Sequence, residues 1–189
     1  MKLVETRRRK VMRKYATRSI IVAGVLAAGC LTKAAAAPDS EKVSKLLSEA
    51  KTLAFQVKED AATMESFTYM NVSVESQKVA INQIKNDVNA LGRQVDKLKS
   101  ARSEASPWQQ TAIDRITPFL DELGGYTDAV LEHLKGTERR DFAEYKDFLE
   151  ANADYSADLA AMIAEFVDYG NAKARVERLG TKLEIRPAK

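Results

Sequence analysis

Nucleophilic catalysis of the Ser/His/Asp or Cys/His kind needs an imidazole beside the nucleophile, and the 189-residue chain holds one histidine, His133. It stands between Glu132 and Leu134, toward the end of a helical segment, where the negative helix terminus favours a cation. A di-iron bundle needs Glu-x-x-His pairs, whereas Val130 and Gly136 lie three residues to either side of His133. Spacing alone leaves room for an axial haem pair of His133 with Met64, Met70 or Met162, but methionines at helical spacing are ordinarily core residues. The single cysteine, Cys30, excludes an internal disulfide framework, and one histidine cannot make a His-rich metal site. Neither Gly-x-x-x-x-Gly-Lys nor Gly-x-Gly-x-x-Gly occurs, so nucleotide phosphates have no visible cradle. Carboxylates are plentiful, yet on helical wheels they fall outside the apolar stripes, where solvation leaves them unsuited to acid–base work. No catalytic residue, metal or cofactor is assigned.

The sharper surface feature is electrostatic. Residues 138–168 hold nine Asp/Glu and three Lys/Arg, a net of −6, whereas 171–189 hold six basic and two acidic residues, a net of +4. At 100° per residue Asp147, Asp154, Asp158 and Glu165 fall within about 40° of one another, one acidic ridge on one helix. Such a ridge is either a solvated flank or a docking face for a basic partner. The basic positions Lys173, Arg175, Arg178, Lys182, Arg186 and Lys189 suit a helix C-terminus, and equally an anionic lipid or cell-wall polymer.

Charge is also divided between the two ends of the chain. Residues 1–29 carry eight Lys/Arg against Glu5 alone, so that segment is +7; subtraction from the totals of 30 and 27 leaves 22 basic and 26 acidic residues beyond it, about −4. The basic pI of 8.9 therefore belongs to the leader, and nucleic-acid binding is not expected. The basic cluster runs into fourteen uncharged residues, Ser19–Thr32, which as a helix span only about 21 Å against a hydrocarbon core of roughly 30 Å. A basic n-region (1–18), a short apolar h-region (19–29) and small residues at its end make a secretory signal pattern.

The h-region closes as Leu26-Ala27-Ala28-Gly29-Cys30, and here the chain resembles bacterial lipoproteins. The resemblance is confined to the leader, residues 1–33. It implies cleavage before Cys30, lipid attachment to that cysteine and a place on the outer or inner membrane facing the periplasm, with Leu31 rather than Asp after the cysteine favouring the outer membrane of a two-membrane cell. Ala34-Ala35-Ala36 offers a second outcome, an A-x-A site that would release a soluble periplasmic chain beginning at Ala37; retention of the leader as an uncleaved anchor is a third.

Beyond a linker at 30–38, periodicity divides the chain into four long helices at about 39–69, 74–104, 107–135 and 138–183, with a tail at 185–189. Asp39 or Ser40 can cap the first, whose stripe is Val43, Leu47, Ala50, Ala54, Val57, Ala61 and Met64, widened by Leu46, Leu53 and Phe67. Asn71 or Ser73 can cap the second, with Ile81, Ile84, Val88, Leu91, Val95 and Leu98 inward. Ser106-Pro107-Trp108-Gln109 spells a capping box with Pro at the first helical position. The third stripe is Ala112, Ile116, Phe119, Leu123, Tyr126, Val130 and Leu134, with a kink at Pro118 or a break at Gly124-Gly125 expected and Gly136 as the stop. Thr137 caps the fourth helix, whose stripe runs from Phe142, Tyr145 and Leu149 through Tyr155, Leu159, Met162, Phe166 and Tyr169 to Val176, Leu179 and Leu183.

Short connections between long amphipathic helices predict an all-α fold, an antiparallel up-down-up-down four-helix bundle preceded by a signal segment; a coiled-coil hairpin that dimerises is the alternative. The functional expectation is an exported, lipid-anchored envelope protein with a binding, spacer or structural role and no catalysis. Its expected contacts are the membrane through the anchor and a protein partner or second copy. The alternative is a periplasmic small-ligand or cofactor carrier with a pocket between helices, where Pro118 and Gly124-Gly125 loosen the third.

Overall fold

The computed structural model describes residues 37–70, 72–135 and 142–185. The chain separates into two units, Met1–Ala35 and Ala36–Lys189, and every described residue belongs to the second. The signal segment, Cys30, the Ala34-Ala35-Ala36 site, Asn71, Gly136 and Thr137 thus lie outside the described residues. Four helices make up the fold, α1 (Glu41–Ser66), α2 (Val74–Ser100), α3 (Pro107–Lys135) and α4 (Phe142–Lys182). Short 3-10 turns, Phe67–Tyr69 and Arg102–Glu104, follow α1 and α2 where longer α-helices were expected. The four form a helical bundle in which α1 and α3 each pack against both α2 and α4. Among the described residues no helix is long and apolar enough to cross a membrane.

Local chemistry sets the helix starts. The Ser40 hydroxyl accepts from the Val43 amide at 3.4 Å and Ser73 from the Ser76 amide at 3.1 Å, so each N-terminus has one of its free donors satisfied. Of the two residues that could take the first cap, Ser40 takes it, and Asp39 is turned to other partners described below. The capping box at α3 forms by half. The Ser106 amide donates to Gln109 Oε1 at 2.9 Å, while the buried Ser106 hydroxyl makes no reciprocal bond.

The core follows the stripes closely in α1, where the seven expected residues are the seven buried ones. In α2 all six expected residues are buried, together with two polar side chains, Asp87 and Gln94. Gln94 is satisfied across the seam with α1, donating to the Leu46 carbonyl at 3.1 Å and to Glu49 at 2.8 Å. The α3 stripe is rotated from the expectation: Ile113, Leu120, Thr127 and Leu131 are buried, and Phe119 and Tyr126 are only partly covered. Those two rings instead flank Tyr155 of α4, at centroid distances of 5.9 and 4.9 Å. Within the seam the Thr127 hydroxyl donates to the Leu123 carbonyl and accepts from the Asn152 amide, both at 2.9 Å, so the buried hydroxyl is satisfied and Asn152 is held to α3.

Helix α3 departs from the expectation of a kink or break, running as one helix from Pro107 through Pro118 and Gly124-Gly125 to Lys135. Pro118 is on the exposed side, as is Asp114, whose carbonyl loses its helical donor, so water can serve it. Buried Ile116, Leu120, Leu123 and Thr127 hold the helix to its neighbours on either side of the weak points.

The α4 stripe also departs from expectation. Tyr145, Leu149, Leu159, Met162 and Ile163 are buried, but Tyr169, Val176, Leu179 and Leu183 are exposed. Gly170 marks the change. A Cβ there would sit 2.8 Å from Trp108 Cη2, and that indole is fixed at its other end by a hydrogen bond to Asp39. Cβ atoms at Gly124 and Gly125 would meet no neighbour within 4 Å. Gly170→Ala is therefore expected to lower stability by about 1–3 kcal/mol through displacement of Trp108. Gly124→Ala and Gly125→Ala should each raise it by about 0.5–1 kcal/mol. Denaturant unfolding of the three variants checks the contrast, and a stabilising Gly170→Ala would contradict the packing described.

Candidate functional site

Three arrangements bear on function, and the first is where the chain comes into the bundle. Gln109 of α3 is fully buried and uses its whole amide: Oε1 accepts from the Ser40 amide at 3.0 Å and the Ser106 amide at 2.9 Å, while Nε2 donates to the Ser40 carbonyl at 2.9 Å and Ser44 Oγ at 3.0 Å. Beside it, Asp39 Oδ1 accepts from Trp108 Nε1 at 2.7 Å and from Lys173 Nζ at 2.8 Å. Burial would raise the Asp39 carboxyl, but the bonds from Lys173 and Trp108 and the nearby Ser106 hydroxyl outweigh it and hold it below the ordinary carboxylate range. Trp108 also meets Tyr169 edge-on at 5.3 Å. The starts of α1 and α3 and the stretch of α4 around Lys173 are thus joined at one end of the bundle.

The second arrangement is the expected acidic ridge. Asp147, Asp154, Asp158 and Glu165 are all exposed on α4, and none makes an ion pair or hydrogen bond among the described residues. Negative charge extends across the seam to α1, where burial and the charges of Asp154 and Glu150 raise the Glu65 carboxyl. The four carboxylates of the ridge are solvated. Cys30, the expected lipid site, lies outside the described residues.

The third arrangement was not legible in the sequence. Asp60 of α1 and buried Asp87 of α2 face one another across the seam, and Asp87 accepts from Gln56 Nε2 at 3.2 Å and Gln83 Nε2 at 2.8 Å. Burial, then the hydrogen bond and charge of Asp87, then the charge of Glu59, push the Asp60 carboxyl up to about 6. The pair therefore holds a proton in mildly acidic solution and releases it on the way to neutral pH. Among the described residues no cluster of metal-ligating side chains forms.

The residues with other chemical potential are held in packing roles. The His133 ring stacks on Tyr145 at 5.1 Å and meets Phe148 edge-on at 6.4 Å, and its buried Nε2 makes no hydrogen bond among the described residues. Tyr145 in turn donates its hydroxyl to Gln77 at 2.8 Å. Met64 and Met162 are core residues, and Met70 is exposed beyond α1. The Tyr155 phenol is raised by its hydrogen bond with Glu122, by burial and by Tyr126.

Two of these carboxylates make opposite contributions to stability as pH changes. Asp60 binds its proton more tightly in the fold than in the unfolded chain, so its contribution falls as pH rises from about 4 through about 6 and is flat above. Asp39 binds its proton less tightly in the fold, so its contribution is lost as pH falls through the carboxylate range. Asp60→Asn should therefore be stabilising by on the order of 2 kcal/mol at pH 7 and near neutral at pH 4. Urea unfolding at the two pH values checks this, and an equal effect at both would dissociate Asp60 from the pair.

No protein-family model, curated protein or solved structure matches the chain, so the functional reading rests on its own residues.

Proposed function

We propose that the chain is an exported, lipid-anchored helical-bundle protein of the bacterial cell envelope, one that binds or spaces a partner and has no catalysis of its own. The observation that carries this reading is the +7 leader closing on Leu26-Ala27-Ala28-Gly29-Cys30. Cys30 and Asp39 are nine positions apart, so a lipid on Cys30 keeps the bundle within about 30 Å of the bilayer even with the linker fully extended. The clamp on Asp39 and Ser40 supports a short, firm tether, because the chain is fixed to the bundle at the first residues after the linker.

In this reading the helices run up-down-up-down. Contacts of Asp39 with Lys173, Lys51 with Asp168, and Gln94 with Leu46 and Glu49 support that order. Sorting follows from Leu31 after the cysteine, which places the protein at the outer membrane facing the periplasm in a two-membrane cell. Partner recognition is assigned to Asp147, Asp154, Asp158 and Glu165, whose exposed charge has no use within the fold.

Intact-mass spectrometry of the membrane fraction, beside a Cys30→Ala variant, tests the anchor. A diacyl or triacyl mass on a chain starting at Cys30, lost in the variant, is the expected result. An unmodified chain starting at Ala37 in the soluble fraction, or an intact leader in the cytosol, would sink the reading. For the ridge, changing all four acids to Asn or Gln is expected to cost no more than about 0.5 kcal/mol per substitution, since no hydrogen bond or ion pair is lost. The same variant should lose salt-sensitive retention on a polylysine surface; a large stability loss would mean that the ridge serves the fold instead.

A further inference from the structure

Helix α4 outlasts the bundle it belongs to. Among the described residues its last bond to the rest of the bundle is from Lys173 to Asp39, just before α1, yet the helix continues to Lys182, nine more residues and about 14 Å. From Ala174 to Ile185 every residue except Gly180 is exposed. A helix this short is marginal alone, but here it extends a packed helix, so the costly nucleation step is already complete. It ends in a built stop: Ile185 donates to the Gly180 carbonyl at 3.0 Å and Glu184 to Thr181 at 3.3 Å, with Glu184 at φ 55° in the region that favours glycine.

This extension carries large apolar side chains into water. Val176 is 62% exposed, Leu179 46%, Leu183 59% and Ile185 61%, and Tyr169 at the base is 54% exposed. At 100° per residue Val176, Leu179 and Leu183 fall within about 60° of one another. Arg175, Arg178 and Lys182 run along one flank of that stripe, and none makes an ion pair among the described residues. Apolar residues in one stripe with unpaired cations beside them are the pattern of a helix lying in a lipid–water interface. Position supplies the second argument. The extension projects from the end of the bundle where Asp39 is clamped, the same end from which the chain leads back toward Cys30.

We propose that the α4 extension is a membrane-surface contact: Val176, Leu179 and Leu183 enter the headgroup region of an anionic bilayer, and Arg175, Arg178 and Lys182 meet the lipid phosphates. The placement rests on the anchored reading above, while the chemistry of the stripe stands without it. The anchor and the extension together give the bundle two attachments at one end, which fixes its orientation on the membrane.

The test uses the full chain in a Cys30→Ala background, carrying an environment-sensitive fluorophore on a single new cysteine at Val176→Cys, Leu183→Cys or, as control, Asp154→Cys. Vesicles containing phosphatidylglycerol should shift the emission at 176 and 183 to the blue, with no change at 154, and phosphatidylcholine vesicles should do so far less. Replacing Arg175, Arg178 and Lys182 with Gln should weaken the effect roughly fivefold for each cation removed. Absence of a shift at 176 and 183 overturns the proposal, whether or not the leader brings the chain to the vesicles. A blue shift without vesicles that grows with protein concentration overturns it in favour of a second copy. Failure of the anchor is read separately, from the mass of the native protein with Cys30 intact.

Discussion

One primary amide ties the start of the bundle to the rest of it. Gln109 has two acceptor sites and two donors, and all four are used on Ser40, Ser44 and Ser106. The bonds satisfy backbone groups at the beginnings of two helices that are not neighbours in the ring of four, so α1 and α3 are fixed in relative height at that end. Side chains of similar size lacking this donor and acceptor set would strand buried amides, and Gln109 has no exposure through which water could replace it. Asp39 adds α4 to the same junction through Lys173, and Trp108 closes it with a ring that Gly170 admits. The heights of the remaining contacts follow from this junction, because rigid helices pinned at one end have little freedom to slide.

Much of this architecture could be read from periodicity. The α1 stripe is correct residue for residue because α1 is covered on two sides and its apolar positions have no competing use. Rotation of the α3 stripe was hidden because aromatic residues score as core on any wheel, whereas Phe119 and Tyr126 serve the edge of the seam with Tyr155. Continuity through Pro118 was hidden for a related reason: local propensity argued for a kink, and packing on both sides of the weak point overrode it. In α4 the apolar pattern changes faces near Gly170, and a stripe traced by spacing alone does not reveal where a helix leaves its neighbours.

The candidate sites divide along the same line. The acidic ridge was legible because it depends on one helix and on nothing opposite it. The pairing of Asp60 with Asp87 was not, since each carboxylate looks solvated on its own wheel and only the register between α1 and α2 brings them together. Gln109 was visible as half of a capping box, but its bonds to Ser40 and Ser44, sixty-nine and sixty-five positions away, belong to tertiary structure. Electrostatics repeats the lesson: acidic residues gather along the outer side of α4, while the ion pairs that tie α4 to α1 and the residues just before it, Lys51 with Asp168 and Lys173 with Asp39, depend on tertiary register.

The clamp on Asp39 and Ser40 also determines how the molecule carries mechanical load. Tension arriving along the chain that precedes Ala37 reaches the bundle first at these two residues, ahead of any turn of α1. There it divides at once between α3, through Gln109 and Trp108, and α4, through Lys173. A pull that would otherwise peel α1 from its end one turn at a time must first break several short polar bonds together, and bonds that fail together resist far more than bonds that fail in series. Force applied at Asp39 and Ser40 is thereby shared with α3 and α4 before any turn of α1 is loaded.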